Sequence, residues 1–395
     1  WSWRFIMSEI NSSNFKKEHG DLAPDLVGVT ELTSPYFFVP PSGDTAERPE
    51  DCEPGTLRFN TDHGSLEVFR GKTIGWEQIQ KRDSQYLGGG TGSNAGTGNR
   101  GAWGGGRTPG YSDTIDFITI STLGDAQDFG NLSVSRAVEA SCSSSTRGLW
   151  MGGYNPVVTT IDFITFSSTG NATDFGDCTN NFNQGALSNE TRGVMAGGTN
   201  PGGTTKMNTM EYVTISQTGN TVDFGDLLST RDSPSGASST VRGVFFGGGD
   251  KNQAPQVNNI IEFITIASTG NSTDFGDLST ARSTIGVCSN STRCLAGGGS
   301  IGYPSSNVIE FVTIATTGNA TDFGDLTQAR GTFDATSSRT RGVFGGGRID
   351  SPADNTAVNT LDHVEIATTG NATDFGDLTV SRWVLSACSS GHGGL

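Results

Sequence analysis

Arginine followed by glycine, two or three apolar residues and a glycine pair recurs at Arg100, Arg147, Arg192, Arg242, Arg293 and Arg341, with Cys294 replacing the first glycine of the fifth copy. A second marker, Asp-Phe-Gly, recurs at Asp128, Asp174, Asp223, Asp274, Asp322 and Asp374, so five intervals between positions 128 and 374 give a period of about 49 residues. Units of this size cannot bury their apolar faces alone, and neighbours must stack. Each unit reads as four short strands: Arg-Gly-Val-Phe-Gly-Gly-Gly, Ile-Glu-Phe-Val-Thr-Ile, Thr-Asp-Phe-Gly-Asp-Leu, and a serine-rich run that ends at the next arginine. That pattern is a propeller blade.

Composition agrees, because 57 glycines disfavour helix and favour tight turns. The second strand, for example residues 309–314, carries β-branched and aromatic residues on both faces, as a strand covered on both sides requires. Thr-Thr-Gly-Asn-Ala at residues 316–320 and 368–372 is a hairpin turn into the third strand. Residues 86–395 hold six units and a remainder of one strand. Seven runs resemble the serine strand, from 92–99 to 383–391, so the expected fold is all-β: a six-bladed propeller closed by pairing the 383–391 run with a strand near residues 86–99.

Residues 1–30 read as an N-terminal arm and 31–85 as a β-hairpin module for anchoring and oligomerisation. Residues 7–85 hold six of the chain's 13 prolines, and Gly55–Phe69 alternates apolar and polar residues around Asp62-His63-Gly64, with Trp76 as a cap. A lone hairpin is marginal in water, so the module must pack on something, and Phe37, Phe38, Phe59, Phe69 and Trp76 are its docking candidates. Met7 reads as a natural start, and no segment near it has the layout of a secretory signal.

The formal charge of −16 repels nucleic acid and anionic lipid, and no apolar run is long enough for membrane insertion. His19, His63, His363 and His392 stand in unrelated settings without metal-ligand spacing, so no cofactor is expected; calcium in the Asn/Asp turns is an open alternative. Cys142, Cys288 and Cys388 share one place in the serine strand and read as small buried residues. Gly96–Gly101 matches the dinucleotide fingerprint and Gly298–Gly302 the nucleophile elbow, but neither lies between a strand and a helix. Asp-Phe-Gly, a magnesium motif in kinases, occurs six times here and reads as structural. Its first aspartates, with Asp177, Asp226, Asp277, Asp325 and Asp377, are expected to pair with the six unit-opening arginines and with Arg136, Arg231, Arg282, Arg330 and Arg382.

The glycine pairs and unit length resemble kelch repeats of the galactose oxidase type, without the tryptophan and tyrosine that usually follow the glycines there. Leu57–Thr61, Gly64–Phe69 and Gly75–Glu77 resemble a small β-module of bacteriophage tail-fibre and other virion proteins. Ile-Glu-Phe-Ile-Thr-Ile, Thr-Gly-Asn-Ala-Thr-Asp-Phe-Gly-Asp-Leu and the terminal Ser389-Ser390-Gly391-His392-Gly393-Gly394-Leu395 resemble virion structural proteins of marine cyanophages. The resemblance implies a non-enzymatic virion appendage on tail or capsid surface. Residues 7–85 would contact other virion proteins and form a homo-oligomer, for example a trimer, while the propeller meets a host-surface glycan or receptor.

What every unit shares serves the unit, and what varies is free for recognition. Loops of different length follow the glycine pairs, at residues 107–114, 154–160, 199–210, 250–259, 300–307 and 348–360, and should share one face. Tyr154, Asn155, Lys206, Lys251, Asn252 and Tyr303 are its candidate sugar-binding residues. The rival functions are a capsid decoration without receptor role and a glycan-degrading enzyme, which would need paired carboxylates that no unit adds to the shared set.

Overall fold

The computed structural model describes residues 41–49, 52–62, 65–72, 75–79, 99–137, 140–179, 182–249, 256–301, 304–350 and 356–395. Phe37, Phe38, Lys251, Asn252, Tyr303, the 1–30 arm and residues 86–98 lie outside them. The described residues form an all-β structure without helix, built on seven four-stranded sheets and consistent with a β-propeller. The chain divides into two compact units, Trp1–Lys81 and Arg82–Leu395.

The first unit holds one sheet, in the order Ser42–Gly43, Leu57–Asn60, Ser65–Phe69 and Trp76–Ile79. The hairpin reading holds for its middle strands, whose register pairs Leu57 with Val68 and Asn60 with Ser65. Trp76 does more than cap them: its strand pairs with Ser65–Phe69, and its ring lies 5.5 Å from that of Phe69. Phe69, expected to face a partner, is therefore buried in the module's own core, while Phe59 and Trp76 are half-buried. Glu67 is fully buried and accepts from Arg48 and from Asn60 Nδ2, which satisfies the carboxylate and holds it below its usual range.

The second unit holds six sheets with one strand order: serine strand, Arg-Gly strand, Ile-Glu-Phe strand, Asp-Phe-Gly strand. A representative is Gly286–Ser289, Arg293–Gly297, Val308–Thr313 and Thr321–Asp325. Five sheets are continuous in sequence. In the sixth, Ser386–Ser389 pairs antiparallel with Arg100–Gly104, followed by Thr114–Thr119 and Gln127–Asn131. The expected use of the last serine run to complete a sheet begun near the other end is thus observed, with Arg100–Gly104 as its partner; residues 86–98, part of the stretch expected to supply it, lie outside the described residues.

The Asp-Phe-Gly marker is a β-bulge. In every sheet the register shifts so that the glycine and the aspartate face consecutive residues of the Ile-Glu-Phe strand, as Gly324 faces Ile309 and Asp322 faces Glu310. The phenylalanine between them turns inward, and Phe129, Phe175, Phe224, Phe275, Phe323 and Phe375 are all buried. The glycine has φ of +149° at Gly324, and a Cβ there would lie 2.4 Å from the Gly370 carbonyl of the next sheet. The space is tight because the next turn docks on this strand. Gly370 N donates to Phe323 O, Ala372 N to Asp325 O, and Asn371 Oδ1 accepts from Asp325 N. The same contact recurs from sheet to sheet and returns to the first, where Gly124 N donates to Phe375 O and Asp125 replaces asparagine. The turn oxygens weighed as calcium ligands are engaged by backbone N–H groups.

A second series of bonds joins the serine strands. Ser188 Oγ donates to Ser143 O, Ser238 to Ser188, Ser289 to Ser238, Ser337 to Ser289, Ser389 to Ser337, and Ser143 to Ser389, at 2.5–2.8 Å.

The expected pairing of Asp-Phe-Gly aspartates with arginines is not what forms. Those aspartates lie mostly at the solvent edge, and the buried arginines turn to the acid of the Ile-Glu-Phe strand: Arg136–Asp162, Arg231–Glu262, Arg282–Glu310, Arg330–Asp362 and Arg382–Asp116, at 2.5–2.9 Å. All ten side chains are 0–2% exposed. Arg382 also donates to Gly105 O and Thr114 O, fastening the connector to the glycine-pair turn beside it. Five of the six unit-opening arginines stack instead on the aromatic ring of the neighbouring strand, as Arg242 does at 4.3 Å from the Phe263 centroid, while Arg341 pairs with Glu365 at 3.0 Å; all six reach a carbonyl of the next sheet, as Arg242 reaches Ile314 O at 2.8 Å.

The glycine after each unit-opening arginine makes room for a side chain of the preceding serine strand. A Cβ on Gly193 would lie 2.2 Å from Cys142 Sγ, on Gly342 2.6 Å from Cys288 Sγ, and on Gly148 2.7 Å from Cys388 Sγ. These cysteines are buried, as the sequence suggested, and free, and burial pushes the Cys142 thiol up to about 12. In the fifth unit Cys294 occupies the glycine's place, and the equivalent serine-strand residue, Ala237, is small and shares its core cluster.

Two outcomes follow from this packing. Deleting residues 383–395 removes the partner of Arg100–Gly104 and both serine bonds of Ser389, so the cooperative thermal transition should be lost; a truncated protein melting like the intact one would refute closure by that strand. Cys294→Gly should cost about 2 kcal/mol from the cavity and glycine entropy, and Ala237→Cys should recover part of it only in the Cys294→Gly background, as read from urea midpoints.

Candidate functional site

The loops after the glycine pairs occupy equivalent places. Each bridges the connector that leads into its own sheet: Tyr154 with Ala137, Thr199 with Phe182, Gly249 with Asp232, Ser300 with Ser283, Arg348 with Gly331, and Arg107 with Trp383. The six therefore emerge at one end of their sheets, as expected from the repeat.

Tyr154 is 44% exposed and lies between two further rings, Phe182 at 4.9 Å and Tyr111 at 6.5 Å. Asn155 beside it is exposed, with φ of 60°, a left-handed conformation that asparagine tolerates better than most residues. Lys206, the loop-face candidate on the following sheet, is already engaged within the protein. It is half-buried and pairs with Asp232 at 3.0 Å, tying its loop to the next connector.

The ring series continues past Tyr111. Arg107 stacks over Tyr111 at 5.4 Å and over Trp383 at 5.2 Å, and Arg348 lies 4.2 Å from the Trp383 centroid. Arg348 Nε donates to Asp350 Oδ1 at 2.6 Å. Phe182, Tyr154, Tyr111, Arg107, Trp383 and Arg348 thus form one stripe along the loop end of four sheets. Only Tyr154 was singled out from sequence. The others sit in the variable loops or in the connectors facing them, and only the bridge pairing brings them together.

Two hollows lie between the serine strands. One, of about 60 Å³, opens among Ser235, Ile285, Thr332, Phe333, Val384 and Asp334. Asp334 is the only acid at its place in the six serine strands, where the others carry alanine, glycine or serine. Its Oδ2 accepts from Ala387 N at 2.8 Å and Ser386 Oγ at 3.0 Å, and its Oδ1 accepts from Ala335 N. Burial outweighs these bonds and pushes its carboxyl up to about 7. The second hollow is lined by the bonded serines and His392. The chain end crosses here: His392 Nε2 lies 3.2 Å from Ser143 O, and Gly393 N donates to Ser289 O at 3.0 Å. A Cβ on Gly394 would lie 2.1 Å from Ser188 O. Burial lowers the His392 imidazole to about 4.

Among the described residues no cluster of three or more His, Cys, Asp or Glu is placed to hold a metal ion. No helix among them is long and apolar enough to cross a membrane. No family model matches the chain, and no curated protein matches it significantly.

The Asp334 environment has a testable sign. Its folded value lies above the unfolded 3.8, so its contribution is full below about pH 4 and is lost as pH rises toward about 7. Asp334→Asn removes that loss, and the melting temperature of the variant minus that of the parent should grow from pH 4 to pH 7. A difference independent of pH would refute the shift.

Proposed function

We propose that the repeat unit is a six-bladed propeller that displays its loop face for recognition, and that the chain is a non-enzymatic structural protein of a phage virion. The carrying observation is the division of labour within the repeat. Serine bonds, bulges and buried ion pairs recur with few exceptions, while the loops differ and hold the exposed Tyr154 with Tyr111, beside Phe182 of a connector. Six sheets in one strand order, the sixth assembled from both ends of the second unit, support the propeller reading. Aromatic rings held by packing lose little conformational freedom on binding and stack on sugar faces, so a host-surface glycan suits this face. The virion assignment rests on the resemblance of the repeats and of the N-terminal module, whose residues 7–85 would join copies to one another and to the particle.

Multiple copies on one particle would turn weak single-site binding into avidity, by a factor of about 10² to 10⁴. Adsorption should therefore respond steeply to small losses. Replacing Tyr111 and Tyr154 together with alanine should leave the melting temperature nearly unchanged and reduce particle adsorption to host cells at least tenfold. Normal adsorption would favour a decoration role, and an antibody label seen off the particle by electron microscopy would sink the virion reading itself.

A further inference from the structure

The stripe ends in a feature that an aromatic sugar platform does not need: two guanidinium groups on one indole. Arg107 and Arg348 lie 5.2 and 4.2 Å from the Trp383 centroid, so their charged carbons are less than about 10 Å apart, within roughly one Debye length at about 0.1 M ionic strength. Asp350 neutralises one of them through the Nε of Arg348. Among the described residues no carboxylate is within ion-pair distance of Arg107, which is held by Tyr111 on one side and Trp383 on the other. In a chain of net charge −16 this is a local surplus of one positive charge.

The surplus is placed where a ligand can reach it. Arg107, Arg348 and Trp383, with Thr108, Thr356 and Ser381, line an open hollow of about 580 Å³. Stacking occupies the flat face of a guanidinium and leaves its N–H edge for a planar anion, which it grips bidentately. Tyr111 belongs to both halves of the stripe: it touches Arg107 and, 6.5 Å away, Tyr154. Ring faces and cationic edges are thus continuous.

We propose that this hollow takes the acidic group of an anionic polysaccharide whose neighbouring sugar ring lies on the Tyr111–Tyr154 rings. The inference rests on the reading of the loop face as a glycan-binding surface and adds the ligand class. Arg107 is the specificity-determining residue, since its charge is not committed to an internal partner. Asp350 orients Arg348 and limits the site to one net charge, which a single sugar carboxylate matches.

Polygalacturonate and its fully methyl-esterified form share one backbone and differ only in charge, which makes them the probes for the intact chain. Polygalacturonate should bind at least roughly tenfold tighter than the ester, as expected for a charge-assisted pair, and the preference should shrink as salt is raised. Arg107→Gln should abolish the preference by lowering polygalacturonate binding to the level of the ester, whereas Tyr154→Ala should weaken both polymers alike. Equal binding of the two polymers overturns the acidic ligand and leaves the glycan face standing. A preference that survives Arg107→Gln, or that salt does not reduce, places the charge recognition elsewhere and overturns the site. Binding of neither polymer overturns the ligand class, and the adsorption of the tyrosine variants then judges the glycan face separately. If Arg107→Gln lowers the melting temperature, the salt series on the unaltered protein decides.

Discussion

Each serine hydroxyl at the head of a sheet donates a hydrogen bond to the main chain of the sheet before it, and the first donates to the sixth. This is the constraint on which the rest depends, because a sheet of four short strands buries too little to persist alone. The serine places one donor and one acceptor in register at each junction, and both are buried, so a missing partner leaves an unsatisfied polar group costing about 1–3 kcal/mol. The bulge contacts repeat the logic at the opposite edge of the sheets. Between the two series lie the apolar clusters, each drawing residues from adjacent sheets, as Val287 and Ala237 share one cluster and Cys288 and Phe344 another.

The buried arginines answer a different need. The connector from one sheet to the next passes under the glycine-pair turn, where backbone carbonyls would otherwise lie without donors. Arg282 supplies donors to Gly298 O, Val308 O and Ala296 O, and Glu310 compensates its charge. Burial lowers the pKa of Arg231, Arg282, Arg330 and Arg382, and the facing carboxylates oppose the shift. Such a pair adds little net stability but is costly to break, by about 3–5 kcal/mol when one partner is removed. In the unit of Glu211 the sequence has Asn181 in place of this arginine, and Glu211 is instead bonded by Thr179 N and Thr221 Oγ1.

Much of the architecture was legible because strand content follows local pattern and the repeat states it six times. The remainder was not, for reasons that particular residues show. The aspartates of Asp-Phe-Gly outnumber the acids of the middle strand and look like the natural partners of the arginines. A bulge, however, turns Phe323 inward and sends Asp322 outward, while Glu310, inside an apolar stretch, faces Arg282. The pairing of Lys206 was not legible because its partner, Asp232, is 26 residues away. The stripe was illegible for the same reason: Trp383 and Arg107 are neighbours only once the last serine strand pairs with the first Arg-Gly strand.

The exchange of bulk between Ala237 and Cys294, against glycine facing cysteine, leucine or threonine elsewhere, bears on how such an array diverges. The volume at each junction is shared between two units, and neither owns it. A unit therefore cannot be shuffled, duplicated or borrowed from another chain as an independent cassette; its fit is decided by the side chain its upstream neighbour sends across. Drift along the array is correlated in steps of one unit, and the smallest heritable module is the seam between two sheets, not the sheet.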